Sequence, residues 1–224
     1  IPAEIVRETV TTLSGDQIRL GIPTGVIAPR TLDRIEASVG GERYPLTFST
    51  GERQYVVTLP PLSPGRHQVI IILRYVDATD TMRFTIDSLP RGTVVDSTRG
   101  DLLQGARIIL YDESRGGASW PAEQYGQVNP QTTDQRGLYG YIVPNGQYRL
   151  VVTKSGYHDR RTFSFTVNNN VINQPQRLIA RKNFVYDPNA SLAENAANLA
   201  AKLKEQADLV GAALGDLGQK VQEM

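Results

Sequence analysis

Through the first ninety residues, apolar side chains recur at every second position in short runs separated by turn residues. Ile18, Leu20 and Ile22 alternate with Arg19 and Gly21, and Ile35, Ala37 and Val39 alternate with Glu36 and Ser38. Tyr44, Leu46 and Phe48 repeat the pattern, as do Tyr55, Val57 and Leu59, then Val69, Ile71, Leu73 and Tyr75, then Met82, Phe84 and Ile86. A period of two places one set of side chains on one face of a sheet. With residues 4–10, these runs predict seven short strands at the spacing of a β-sandwich. The run Ile70-Ile71-Ile72-Leu73 has no alternation and predicts a central strand covered on both faces. Residues 21–33, with their prolines and glycines, are expected to be irregular.

A second alternating block lies at residues 132–157. Tyr139, Tyr141 and Val143 alternate with Gly140 and Ile142, and Tyr148, Leu150 and Val152 with Arg149, Val151 and Thr153. Pro144-Asn145-Gly146 stands between the runs, and Asn-Gly tolerates the positive φ of a tight turn, so the pattern predicts a hairpin. Residues 134–137 predict a second turn upstream. Residues 106–111, Phe163, Phe165 and Val167, and residues 176–180 supply further strands. Leu89-Pro90-Arg91-Gly92 is the candidate linker. It is too short to behave as a flexible tether, so the two sandwiches are expected to stand end to end with limited bending.

From Asp187 the period changes. Ser191 and Glu194 have the spacing of a capping box. Leu192, Ala196, Leu199, Leu203, Ala207, Val210, Leu214, Leu217 and Val221 follow at steps of three and four. That step keeps the stripe on one side of a straight helix, a rod of roughly 45 Å. Gly211, Gly215 and Gly218 line an adjacent face. Each glycine weakens a helix by about 1 kcal/mol, and close approach of another helix would compensate; the alternative is a frayed end.

The residues of the second block also carry a resemblance. Gly92-x-Val94-x-Asp96, Gly105-Ala106-x-Ile108-x-Leu110-Tyr111, Thr133-Asp134-x-x-Gly137-x-Tyr139 and Val143-Pro144-x-Gly146-x-Tyr148-x-Leu150-x-Val152-x-Lys154-x-Gly156-Tyr157 follow in order. Residues 91–182 thereby resemble a carboxypeptidase regulatory-like domain, which implies a transthyretin-like seven-stranded β-sandwich acting as a folding or spacing unit. Two departures stand out: Leu103-Gln104 replaces a proline-containing step, and residues 112–131 form a longer loop than the family has. More loosely, residues 59–67 resemble the connection before a late strand in bacterial immunoglobulin-like domains. The expected architecture is all-β, with an immunoglobulin-like sandwich at 1–89 and a carboxypeptidase regulatory-like sandwich at 90–182. Residues 183–224 then form a linker and a long amphipathic C-terminal helix.

Composition narrows the chemistry. Of 224 residues, 40% are hydrophobic and 21% charged, as in ordinary globular protein. A net charge of +1 argues against nucleic-acid binding. Without cysteine, neither disulfides, thiol catalysis nor Cys-ligated zinc is available. His67 and His158 are the only histidines and read as surface residues. Residues 96–101 offer only part of a calcium loop and read as a polar turn, in which Arg99-Gly100-Asp101 is a coincidental tripeptide. No catalytic, metal or cofactor site is expected. The chain starts at Ile1, so it is expected to be a processed product or fragment whose signal peptide or membrane anchor, if any, lies outside it.

Two functional expectations follow. In the first, the chain is a non-enzymatic structural or interaction protein of the cell surface or an extracellular assembly, with a bacterial envelope as the setting. The sandwiches are stiff spacers, and the C-terminal helix docks a partner protein or another copy through Leu199, Leu203, Val210, Leu214 and Leu217, with Gly211 and Gly215 at closest approach. In the alternative, the chain is a carbohydrate-binding module whose Trp120 and Tyr125, on the long loop, stack on a sugar ring. The competing and preferred reading of Trp120 is a lid folded onto the sandwich edge.

Overall fold

The alternating runs of the first ninety residues become strands in the computed structural model, which describes residues 9–181 and 187–222, the last of these without side chains at 217 and 219–222. The chain divides into two units, Ile1–Pro90 and Arg91–Met224.

In the first unit, β1 (Thr9–Leu13), β2 (Ile18–Pro23), β3 (Leu32–Val39), β4 (Glu42–Pro45), β5 (Thr47–Ser49), β6 (Gln54–Leu59), β7 (Gly65–Tyr75) and β8 (Thr79–Leu89) form two sheets. Their orders are β1-β8-β7-β3-β4 and β2-β6-β5, with β1 parallel to β8. Ile35, Ala37, Val39, Val69, Ile71, Leu73 and Ile86 of the larger sheet close on Ile22 and Leu59 of the smaller. Of the first predicted strand, residues 4–8 lie outside the described residues. The third predicted strand is split. Buried Leu46 stands between β4 and β5 and donates its N–H to the Ile35 carbonyl at 2.9 Å, while the chain passes from one sheet to the other. β7 is central, between β3 and β8. It is covered on one face rather than two: Val69, Ile71 and Leu73 are buried, but Ile70 and Ile72 on the outer face are half-buried. The lack of alternation reflects apolar residues on a partly open face.

The second unit has β9 (Gly92–Asp96), β10 (Arg107–Asp112), β11 (Ala118–Ser119), β12 (Gln131–Thr132), β13 (Leu138–Tyr139), β14 (Tyr141–Ile142) and β15 (Gly146–Thr153). Then come β16 (Arg160–Arg161), β17 (Phe165–Val167), β18 (Val171–Ile172), β19 (Gln176–Leu178) and the helix α1 (Leu192–Gln222). One sheet runs β11-β10-β15-β16, with β12 on β10 and β17 on β15; facing it are β13-β9-β19 and β14-β18. Between them lies a core of Val94, Ile108, Leu110, Trp120, Tyr139, Tyr141, Tyr148, Leu150, Val152, Ile172 and Leu178.

The predicted hairpin at 139–153 does not form. β13 pairs with β9 and β14 with β18, whereas β15 pairs with β10. Pro144-Asn145-Gly146 carries the chain between facing sheets, and neither Asn145 nor Gly146 takes positive φ. The alternation is real because both runs point inward: Tyr139, Tyr141, Tyr148, Leu150 and Val152 are all buried. Two inward-pointing runs fit facing sheets as well as adjacent strands, and period alone cannot separate the two. The upstream turn is as expected. Gly137 has φ +64°, and the Asp134 carboxylate accepts the N–H groups of Arg136 and Leu138, each at 3.0 Å.

Candidate functional site: the C-terminal helix

α1 begins at a formed capping box. Ser191 Oγ accepts the Glu194 N–H at 3.2 Å, and Glu194 Oε2 accepts the Ser191 N–H at 2.8 Å. The Ser191 N–H and hydroxyl, both donating to the Glu194 carboxylate, hold it below its ordinary range. Asn195 closes the preceding turn by exchanging hydrogen bonds with the Asp187 N–H and carbonyl at 3.0 and 2.9 Å.

The side of α1 that packs is not its apolar side. Asn195 and Glu205 are buried, and Ala201, Lys202, Asp208, Leu209, Ala212 and Asp216 are half-buried. The Glu205 side chain, 1% exposed, meets His158 Nε2 and, at 3.0 Å, Lys202 Nζ. Asp216 meets Arg160 at 2.6 Å, and Arg160 also donates to Gln176 Oε1 at 3.2 Å. Leu209 and Ala212 lie over His158, Arg160 and Ile179.

The predicted contact residues lie on the other side. Leu199 is 46% exposed, Leu203 61%, Val210 60% and Leu214 62%, and Leu192 extends the row. At roughly 100° per residue, the middle of this row stands about half a turn from the packed side. The side chain of Leu217 lies outside the described residues. Gly211 and Gly215 border a cleft of about 610 Å³ between α1 and its sandwich, beside Arg177, Ser97 and Thr98. A Cβ added at either glycine would meet nothing within 4 Å among the described residues.

The long loop is closed rather than open. Trp120 is 3% exposed, stacked on Tyr125 with centroids 5.0 Å apart and edge-on to Tyr141 at 6.0 Å. Tyr125 is half exposed, but one of its faces covers Trp120. The Trp120 indole packs in the core of the second sandwich, and Tyr125 lies on its outer side. Three amides at alternate positions, which the sequence reading passed over, lock the loop. Asn129 bonds both the N–H and the carbonyl of Leu110. Gln127 bonds both groups of Ile142, and Gln131 bonds the Gly140 N–H and carbonyl. Residues 127–131 therefore join β10 to the strand opposite through side chains. The signal was Gln-x-Asn-x-Gln, polar amides with the period of a strand.

The polar cluster at residues 96–101 is a turn. Buried Asp96 accepts the N–H groups of Thr98 and Arg99 and the Tyr157 hydroxyl, and Arg99 pairs with Asp101 at 3.1 Å. Among the described residues, no group of three or more His, Asp or Glu side chains is placed to hold a metal ion. Burial pushes the Tyr139 and Tyr141 hydroxyls far above their ordinary range. Both stay neutral donors, to the Gln174 carbonyl and to the Ile108 carbonyl.

This two-sheet core, crossed from β14 to β15 at Pro144-Asn145-Gly146, has a known counterpart. Residues 91–177 match the carboxypeptidase regulatory-like domain. The match ends before α1 and begins after the first sandwich. Among solved structures, the chain is similar to the pilus adhesin RrgA of Streptococcus pneumoniae, at 12% identity and a TM-score of 0.30, over 80% of this chain and 30% of that one. It is also similar to the pilus 2b backbone protein of group B streptococcus, at 14% identity and a TM-score of 0.27, over 78% of this chain and 97% of that one. The chain spans less than a third of the adhesin's length. No curated protein matches it by sequence.

Proposed function

We propose that this chain is a non-enzymatic structural module of a cell-surface or extracellular assembly, in which the β-sandwiches are spacers and the outer face of α1 is the contact surface. The observation that carries the reading is the outward row of Leu199, Leu203, Val210 and Leu214, set opposite the side that packs. Supporting it, the amides of Gln127, Asn129 and Gln131 are committed to the backbone of the second sandwich. Burying a large aliphatic side chain contributes about 1.5–3 kcal/mol. The four residues of the row with Leu192, each roughly half exposed or more, supply about 5–8 kcal/mol per helix. Against an association cost of about 4–15 kcal/mol, pairing of two such rows is a modest interaction that assembly in arrays would reinforce.

The test is solution mass by light scattering across concentration up to about 100 μM. The intact chain is expected to grow in mass with concentration, and a Leu203→Asp, Leu214→Asp variant to remain a monomer with the same thermal transition of its sandwiches. A monomer at every concentration for the unmodified chain overturns assembly through α1.

A further inference from the structure

An amphipathic helix resting on a domain ordinarily turns its apolar row inward. α1 turns that row outward, although the surface beneath it includes Ile179 and Pro175. Against the ordinary orientation stand two polar contacts eleven residues apart, three turns of helix. Glu205 enters against His158, and Asp216 against Arg160. With its side chain 1% exposed, Glu205 has no route to water in this pose, and rotating the helix would separate it from His158. Arg160 is itself tied to Gln176 of β19, so the second point is fixed to the sheet rather than to a loose side chain. One such contact would leave a helix free to pivot; two on the same side, three turns apart, define its rotation.

We infer that the His158–Glu205 and Arg160–Asp216 pairs set the rotation of α1 about its axis and so select which face is offered for contact. This rests on the reading of the outer row as the contact surface. It is tested on the isolated chain, where rotation is measured without any partner, so either idea can fail alone. The sequence has no cysteine, so a single introduced thiol reports one position. Leu203→Cys on the exposed side of α1 and Leu209→Cys on its packed side, about a third of a turn apart, are labelled with a maleimide in the otherwise unchanged chain and in a Glu205→Ala, Asp216→Ala background. Leu203→Cys is expected to react roughly tenfold faster than Leu209→Cys in the first background, as exposed positions do relative to packed ones. The order should reverse in the second, with helicity by circular dichroism retained. An unchanged order overturns the proposal. So does fast labelling at both positions, which would mean that the pairs hold the helix down without choosing its face. Should the double alanine background lose helicity, the exchanged pair Arg160→Asp, Asp216→Arg decides: it must restore the original order, and failure to do so overturns the assignment.

Discussion

Asn129 pairs with Leu110 as one strand pairs with another. Its Oδ1 accepts the Leu110 N–H at 2.9 Å and its Nδ2 donates to the Leu110 carbonyl at 2.8 Å. The same amide reaches the Trp120 carbonyl at 3.0 Å and accepts from the Tyr141 hydroxyl at 3.2 Å. A side chain with four backbone or buried partners acts as a strut. Asn129→Ala takes the partner from the buried Leu110 N–H and one of two bonds from each of the Leu110 and Trp120 carbonyls, which keep the Trp120 and Ala122 N–H groups; a buried donor left unpaired costs about 1–3 kcal/mol. The variant is expected to lose about 2–4 kcal/mol in denaturant unfolding. Gln127→Ala, with two such bonds, should lose about half as much. Equal and negligible losses would show that the loop is held by something else.

Trp120 and Tyr125 separate packing from binding. Trp120→Ala empties a core position and is expected to cost about 3–5 kcal/mol. Tyr125→Ala removes a half-exposed ring from the outer side of the stack and should cost about 1 kcal/mol. Thermal unfolding of both variants measures the difference. A Trp120→Ala protein as stable as the parent contradicts the burial of the indole.

Glycines fall into two groups with opposite expected signs. A Cβ at Gly92 would lie 2.6 Å from the Asn173 carbonyl oxygen and 2.7 Å from the Tyr139 ring. Neither neighbour is a free chain end, so Gly92→Ala is expected to destabilise by about 2–4 kcal/mol. Gly211 and Gly215 face open space, and there Ala gains about 1 kcal/mol of helix propensity per site. The double variant should raise helix protection in hydrogen exchange. If these glycines also admit a second helix, the same variant lowers assembly while stabilising the monomer, and the two readouts move apart.

The strand content was legible because burial has a period. Tyr139, Tyr141, Tyr148 and Leu150 stand inward as their alternation demands, and Ser191 and Glu194 form their capping box. What period does not encode is which sheet a run joins. The runs on either side of Pro144 look like a hairpin, yet they belong to facing sheets, and the run through Leu46 divides between two. The helix is a different case. Its apolar row was plain in the sequence, but the row does not say which face packs at home. That is set by Glu205 and Asp216, whose partners His158 and Arg160 are 47 and 56 residues away. Long-range side-chain pairs leave no local signature.

Asp96 gives the clearest pH dependence. Burial alone would raise its carboxyl, but the N–H groups of Arg99 and Thr98 and the Tyr157 hydroxyl favour the charged form and outweigh it. The folded value therefore lies below the unfolded one, which is about 4. With the folded value depressed, the unfolded chain binds more protons between the two values. The stabilisation from Asp96 is therefore fully present above about pH 4 and is lost as pH falls through the folded value. Asp134 is held low by its bond to the Leu138 N–H and, despite some burial, by Arg136, so it acts with the same sign. Asp96→Asn isolates one contribution: its unfolding free energy should fall less steeply than the parent's below about pH 4, while above pH 5 the variant is the less stable of the two. Parallel curves from pH 6 to pH 2 would mean that the turn at Thr98 and Arg99 does not favour the charged carboxylate.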